Sequence, residues 1–320
     1  MKLWAIVVAG LTLAGCAYGA PIVAQQVQPA PVNVERLMTD VRALSADEME
    51  GRGFGQPGGD RARDYVVAAF EAAGLEPLAS GWLKPFTARG TAGENVVGVV
   101  RGSVNPDQWI VVTAHYDHEG IQNGQIYNGA DDNASGTAAL IELARLLRDH
   151  PPRQSVMFVA LDGEEAGLLG ARAFVADSPV PLDRVVLNIN LDMVSRGDNG
   201  ILWVVGTRLY PALIPVIEGL PQQPGIERRF GYDDPAVRGR NNWVNLSDQA
   251  AFHARGVPFV FFSVDDHGDY HQPSDDAERI DAAWYRGAVQ TAWETLMAVD
   301  RMDNPQFRGS PVGVPATTKP

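Results

Sequence analysis

The stretch "SVMFVALDGEEAGLLG" (155–170) decides how the rest of the chain is read. Its core, "VMFVAL" (156–161), is an unbroken apolar run, short and rich in β-branched and aromatic residues, which suits a strand covered on both faces. It runs straight into an acidic turn with Glu164 and Glu165 side by side. Adjacent carboxylates repel, so the pair is either a solvated loop or a group held there for its chemistry. The other strands decide between the two.

Three more segments have the same character: "WIVVTA" (109–114), "VVLNINL" (185–191) and "VPFVFFSV" (257–264). "NVVGVVRG" (95–102) reads as an antiparallel neighbour of the first of these. Helical patterns lie between them. In "SGTAALIELARLLRD" (135–149), Leu140, Leu143, Ala144 and Leu147 form an amphipathic stripe. "GGDRARDYVVAAFEAAG" (58–74) repeats the pattern and stops at a glycine, and "DAAWYRGAVQTAWETLMAVDR" (281–301) is a long C-terminal helix. The alternation predicts an α/β fold, a three-layer sandwich with a largely parallel mixed central sheet flanked by helices.

Polar residues gather where these strands end. "HYDHEG" (115–120), with His115 and Asp117, follows the first strand, and Asp192 follows "VVLNINL" at once. "DDHGDYHQPSDD" (265–276), with His267 and His271, follows the last strand, and "NGADDNASG" (128–136), with Asp131 and Asp132, precedes the amphipathic helix. In open α/β sheets, sites form at the carboxyl ends of the strands. Two histidines with several carboxylates and no thiolate make a nitrogen and oxygen donor set, suited to zinc or a similar divalent ion. The carboxylates outnumber the needs of one ion, and two ions about 3.5–4 Å apart sharing a bridging carboxylate would neutralise them. If one glutamate of the pair binds metal, its neighbour can stand free as a base.

Several rival chemistries are excluded by the residues. "HEGIQ" (118–122) begins like H-E-x-x-H but has Gln122 in fifth place, with glycines at 120 and 124 against a helix. There is no G-x-S-x-G elbow and no phosphate-binding loop, since "GADDNASGT" lacks the lysine. A formal charge of −13, spread along the chain, argues against nucleic acid as a partner. With 320 residues and 45% hydrophobic content, the chain can bury a large core.

The two ends read differently. "MKLWAIVVAGLTLAGCAYGA" (1–20) has Lys2, a short apolar stretch and then "LAGC", in which Cys16 is the single cysteine of the chain. It resembles the signal of bacterial lipoproteins, with Cys16 as the lipidation site, and an ordinary signal cut near "AYGA" is the alternative. Either way the protein is expected to be exported: anchored in the cell envelope, with Ala17 suggesting the outer membrane, or else periplasmic or secreted. A lone cysteine makes no intramolecular disulfide. Residues 21–32 are Pro- and Gln-rich and read as a tether, 33–302 as one domain, and 303–320 as a loose tail.

"HYDH", "NGADDNASG", "DGEEAGLLGAR", "NLDM" and "DYHQPSDD" together resemble the M28 family of metallopeptidases, and in particular secreted bacterial aminopeptidases that use two zinc ions. The resemblance runs from about residue 51 to 300. It implies two Zn2+ per chain: His115 and Asp192 on one ion, Glu165 and His271 on the other, and Asp132 bridging both. It implies Glu164 as the catalytic glutamate and Tyr270 as a donor to the developing oxyanion. Asp117 would fix the His115 imidazole through its other nitrogen. Asp131 stands where the family often has asparagine and reads as structural. A cis peptide is expected at Asp132–Asn133.

The function expected is hydrolysis of N-terminal amino acids from peptides with a free N-terminus. Three alternatives stay open: a glutaminyl-cyclase-like acyltransferase with one zinc, a carboxypeptidase of the same fold using Arg196, Arg238 or Arg240, and a non-catalytic binding lipoprotein. His118 follows Asp117 in a pattern of one branch of the family and is a candidate contact. His267 reads as a solvated loop histidine, with substrate contact the alternative, and His150 and His253 as surface or packing residues. Residues 231–252 are expected to form part of the pocket rim.

Overall fold

Strands that are apolar on both faces need cover on both sides, and the chain supplies it with helices. In the computed structural model, which describes residues 31–308, the strands in chain order are β1 (Glu76–Pro77), β2 (Leu83–Ala88), β3 (Thr91–Val100) and β4 (Asn105–His115). There follow β5 (Gly120–Gln122), β6 (Gln125–Tyr127), β7 (Gln154–Leu161), β8 (Val185–Leu191), β9 (Ile201–Val205), β10 (Glu227–Phe230) and β11 (Phe259–Ser263). The helices are α1 (Val34–Leu44), α2 (Pro57–Ala73), α3 (Gly136–Asp149), α4 (Leu169–Ala176), α5 (Ile214–Glu218), α6 (Gln249–Ala254) and α7 (Ala282–Asp300).

The main sheet runs β1-β3-β7-β4-β8-β11-β9-β10, with β2 also paired to β3, and β5 and β6 form a separate hairpin. Its centre, β7-β4-β8-β11, is parallel throughout and consists of the four apolar runs. Period-two alternation sends their side chains to opposite layers. Ile110, Val112, Val156 and Phe158 face α1, α2, α3 and α7 through Leu37, Val66, Leu140 and Trp293. Val111, Met157 and Val159 face Phe174 of α4 and Phe252 of α6. The fold is a three-layer α/β sandwich.

Local signals set the helix ends. Gly74 adopts φ 81° and closes α2 by donating its N–H to Glu71 O and Phe70 O, a conformation that costs glycine little. Asp281 opens α7 by accepting from the N–H groups of Ala283 and Trp284. Asn33 does the same for α1 through Arg36 N.

The structure differs from the expectation in three places. β3 pairs antiparallel with β7 rather than with β4, because β4 is flanked on both sides by parallel partners. Part of the expected loose tail is anchored: Pro305 and Phe307 are buried, and Arg308 Nη2 donates to Leu182 O at 2.6 Å. The expected tether reaches one residue too far, since Val32 is buried and its N–H donates to Gln290 Oε1 at 2.8 Å. The signal segment with Cys16, most of the tether and residues 309–320 lie outside the described residues.

The chain leaves β4 through α3 to reach β7 on one side, then returns to β8 on the other. That reversal opens a crevice beyond the carboxyl ends of β7, β4 and β8.

Candidate metal centre

Each strand facing the crevice ends on, or one residue before, a titratable group. His115 is the last residue of β4, and its backbone oxygen accepts from Thr137 Oγ1 at 2.6 Å. Its ring Nδ1 meets the Asp117 backbone carbonyl at 3.1 Å, which turns Nε2 toward Asp192 Oδ1 at 3.2 Å and Asp132 Oδ1 at 3.4 Å. Asp192 is the first residue past β8. The carboxylate of Asp117, expected on the other ring nitrogen, stands 3.7 Å from it. It accepts instead from the N–H groups of Glu164 at 3.0 Å and Glu165 at 3.3 Å. Asp117 thus holds the turn that presents the glutamate pair.

Asp132 lies in the irregular turn before α3, with a cis peptide to Asn133. Two residues not assigned a role from the sequence hold this turn. Asp275 Oδ2 accepts from Asp131 N at 3.0 Å and Asp132 N at 3.1 Å. Asn133 donates to Leu191 O at 3.0 Å and accepts from Met193 N at 3.2 Å, joining the turn to both neighbours of Asp192. Asp131 points elsewhere, accepting from Ser195 N at 2.8 Å and Ser195 Oγ at 2.7 Å, in keeping with its structural reading. His267 is not a solvated histidine: its side chain is buried with Nε2 3.1 Å from Asp131 Oδ2.

His271 has φ 51°, an uncommon backbone state for a residue with a side chain. Its Nε2 lies 3.0 Å from Asp132 Oδ2 and 3.3 Å from Glu165 Oε2, while Glu119 Oε1 stands 3.4 Å from Nδ1. A histidine with a carboxylate on one nitrogen and acidic oxygens around the other is the usual setting of a metal ligand. The Nε2 atom is buried and makes no hydrogen bond among the described residues. Two donor groups result, His115–Asp132–Asp192 and His118–Asp132–Glu165–His271, with ligand atoms within 4.8 Å of one another in each. Nitrogen and carboxylate donors around an unpartnered imidazole nitrogen fit zinc.

The remaining expected residues surround the same space. Asp132, Glu164, Glu165, Asp192 and Tyr270 line a cavity of about 100 Å³, whose apolar wall is Met193, Trp243, Leu246 and Phe261. Trp243 stacks on Tyr232 at 3.8 Å, so residues 231–252 do supply part of this wall. Burial, with the charges of Asp192, Asp248 and Glu165, pushes the Glu164 carboxyl well above its ordinary range against the pull of His115. Burial also works against a charged His115, but Asp192 and Glu164 outweigh it and raise its pKa well above normal. Burial and the charges of Asp132, Glu165 and Asp192 raise the Tyr270 phenol, keeping it protonated.

Two further buried groups carried no recognisable sequence signal. Asp248 is fully buried, with both carboxylate oxygens unpartnered among the described residues, and burial pushes it up to about 8. Arg52, fully buried behind the site, donates to four backbone carbonyls: Tyr116, Leu44, Asn128 and Gly129. Of the arginines considered for binding a terminal carboxylate, Arg196 is held by Asp198 and Asp269, each at 2.9 Å, and Arg240 lies 3.5 Å from Asp266. Neither they nor Arg238 line the cavity.

The model of peptidase family M28 matches residues 95–296. Aminopeptidase YwaD of Bacillus subtilis is 30% identical over 211 residues, covering 62% of this chain and 42% of that protein. The chain spans less than half the length of the curated relatives it matches. Among solved structures, a zinc aminopeptidase from Bacillus subtilis superposes with a TM-score of 0.65 at 16% identity, covering 83% of this chain and 94% of that one. A glutaminyl cyclase from Bacteroides thetaiotaomicron gives 0.67 at 18% identity, covering 84% and 99%. With the family model spanning all the central strands and every donor named above, the chain belongs to peptidase family M28.

Proposed function

We propose that this protein is a zinc-dependent aminopeptidase that holds two ions and releases N-terminal amino acids from peptides. The observation that carries the reading is the placement of Asp132: its Oδ1 is 3.4 Å from His115 Nε2 and its Oδ2 is 3.0 Å from His271 Nε2. One carboxylate turned toward two separate histidines suits a bridge between two cations. His115 and Asp192 would complete one position, Glu165 and His271 the other. Bound zinc supplies Lewis acidity toward the scissile carbonyl and toward water.

The chain's own groups supply the rest. Glu164, raised by burial and held in place by Asp117, takes a proton from the attacking water and delivers it to the leaving amine. Tyr270, kept protonated, donates to the oxyanion. Met193, Trp243 and Phe261 receive an apolar first side chain. Asp266, on the cavity wall but outside both donor groups, offers a carboxylate to a free ammonium group, and among the described residues no arginine lines the cavity to hold a terminal carboxylate, which favours amino- over carboxypeptidase action.

Aminopeptidase and glutaminyl cyclase superpose on this chain almost equally well, so the fold does not separate them. Zinc stoichiometry does. About two zinc per chain, with hydrolysis of free-amine aminoacyl substrates lost on chelation, is the expected result. One zinc with cyclisation of N-terminal glutamine would replace the reading with the cyclase. We also propose that the protein is exported and anchored through a lipid at Cys16, on the strength of "LAGC" following a charged and apolar leader.

A further inference from the structure

We infer that His118 is itself a metal ligand, through Nδ1, so that one ion position has four protein donors and the other three. The inference rests on the two-ion reading above. His118 lies just past β4, its backbone N–H donating to Arg52 O at 3.2 Å. Its side chain is completely enclosed. Gly129, at φ 53°, packs so closely on the ring that an added Cβ would lie 2.4 Å from His118 Cδ2. The imidazole is therefore locked in one orientation, immediately ahead of the turn carrying Asp132.

That orientation directs Nδ1 at the donors of the second position. It lies 2.8 Å from Glu165 Oε1 and 3.8 Å from Asp132 Oδ2. His271 Nε2 approaches the same two carboxylates, Asp132 Oδ2 at 3.0 Å and Glu165 Oε2 at 3.3 Å. Four donors bound to zinc at 2.0–2.1 Å in a tetrahedron are spaced about 3.3 Å apart, and these separations scatter around that value. The two imidazoles meet edge to face, with ring centres 5.6 Å apart and planes at 75°, as two ligands converging on one point do. Among the described residues His118 Nε2 has no hydrogen-bond partner, so none of them donates to that side of the ring and fixes a tautomer that would deny Nδ1 its lone pair. His115 is the contrast: its Nδ1 is engaged by the Asp117 carbonyl, leaving Nε2 for the other ion.

The chemical consequence is an unequal pair. His118, Asp132, Glu165 and His271 form a closed set of the kind that holds a resident ion, whereas His115, Asp132 and Asp192 leave a coordination place open for water or substrate. The closed position fills first and the open position exchanges.

The test is X-ray absorption at the zinc edge on the full chain, stripped of metal and reloaded with one equivalent of zinc. The expected spectrum has two imidazoles per zinc in the wild type and one in His118→Ala, or in His118→Gln as a milder replacement. Competition with a chelator is expected to show first-ion affinity reduced by more than about 100-fold in either variant, beyond the 10–100-fold typical of a group that only orients a ligand, with second-ion affinity within about threefold. Two ions bound by a wild type that shows one imidazole per zinc at one equivalent would overturn the inference and leave the two-ion reading intact. Failure of the wild type to bind zinc would overturn both.

Discussion

Arg52 offers the sharpest test of how this site is held together. Its guanidinium is fully buried, with Nε 2.8 Å from Tyr116 O, Nη1 2.7 Å from Leu44 O and 2.6 Å from Asn128 O, and Nη2 2.8 Å from Gly129 O. Tyr116 lies between His115 and Asp117, and Gly129 precedes the Asp131–Asp132 turn, so one side chain ties together the segments that deliver both donor groups. Bonds from a charged donor contribute about 1.5–3 kcal/mol each, which gives roughly 6–12 kcal/mol for four. Burial opposes this by lowering the pKa to about 10, an offset of about 3 kcal/mol. Arg52→Met should therefore destabilise the protein by roughly 5 kcal/mol, a large share of the 5–15 kcal/mol available to a domain. Arg52→Lys keeps the charge, but its three donors radiate from a single nitrogen and cannot span four carbonyls. A loss of about 3 kcal/mol is expected. Urea unfolding followed by tryptophan fluorescence, with metal chelated so that binding does not contribute to stability, measures both. A loss below about 1 kcal/mol for Arg52→Met would refute the reasoning, because it would mean that water or a local shift satisfies those carbonyls as well as the guanidinium does.

Glu164→Gln should lower kcat by about 10²–10⁴-fold while zinc content stays unchanged; an equal loss of zinc would make Glu164 a ligand rather than the proton carrier. Asp162, buried and further raised by the charge of Asp117, has a folded pKa of about 7, above the roughly 3.9 of an unfolded aspartate. Its contribution to stability is present below pH 4 and is lost as pH rises to 7, at about 1.4 kcal/mol per pH unit. Asp162→Asn should flatten that part of the stability profile, and denaturation midpoints at pH 4, 5.5 and 7 with an unchanged slope would contradict it. If Cys16 is lipidated, mass spectrometry of the mature N-terminus will find a diacylglyceryl-modified cysteine as residue one, and a free N-terminus near position 20 would point to an ordinary signal.

The central strands were legible because a strand covered on both faces must be apolar at every position, and "VMFVAL" and "VVLNINL" satisfy that without help from context. β2 and β10 were not legible. They lie at the margins of the sheet with every residue exposed or partly exposed, and "ERRF" has no apolar alternation to detect. α1 carries a buried stripe of Leu37, Val41 and Leu44 behind the Asn33 cap, but it borders the Pro- and Gln-rich segment and holds no site motif. Among the site residues, His115, Asp132, Glu164, Glu165, Asp192 and His271 could be named because they directly follow strands or sit in short motifs. Apart from Asp117, the residues that support them could not. Asp275 lies in a motif already noted, "DYHQPSDD", but its hydrogen bonds reach back more than 140 positions to the Asp131–Asp132 turn.

The sequence by itself determined the α/β layering, the donor chemistry and the edge of the sheet at which the donors meet, because apolar runs and the residues that end them are local properties. Only the tertiary structure decided how those donors are shared. It placed Asp132 between two histidines, turned the Asp117 carboxylate to the glutamate turn and set His118 against Glu165. It also put Arg52 behind them all. Each of these depends on where a side chain points once distant segments have packed, and a one-dimensional pattern holds no record of that direction.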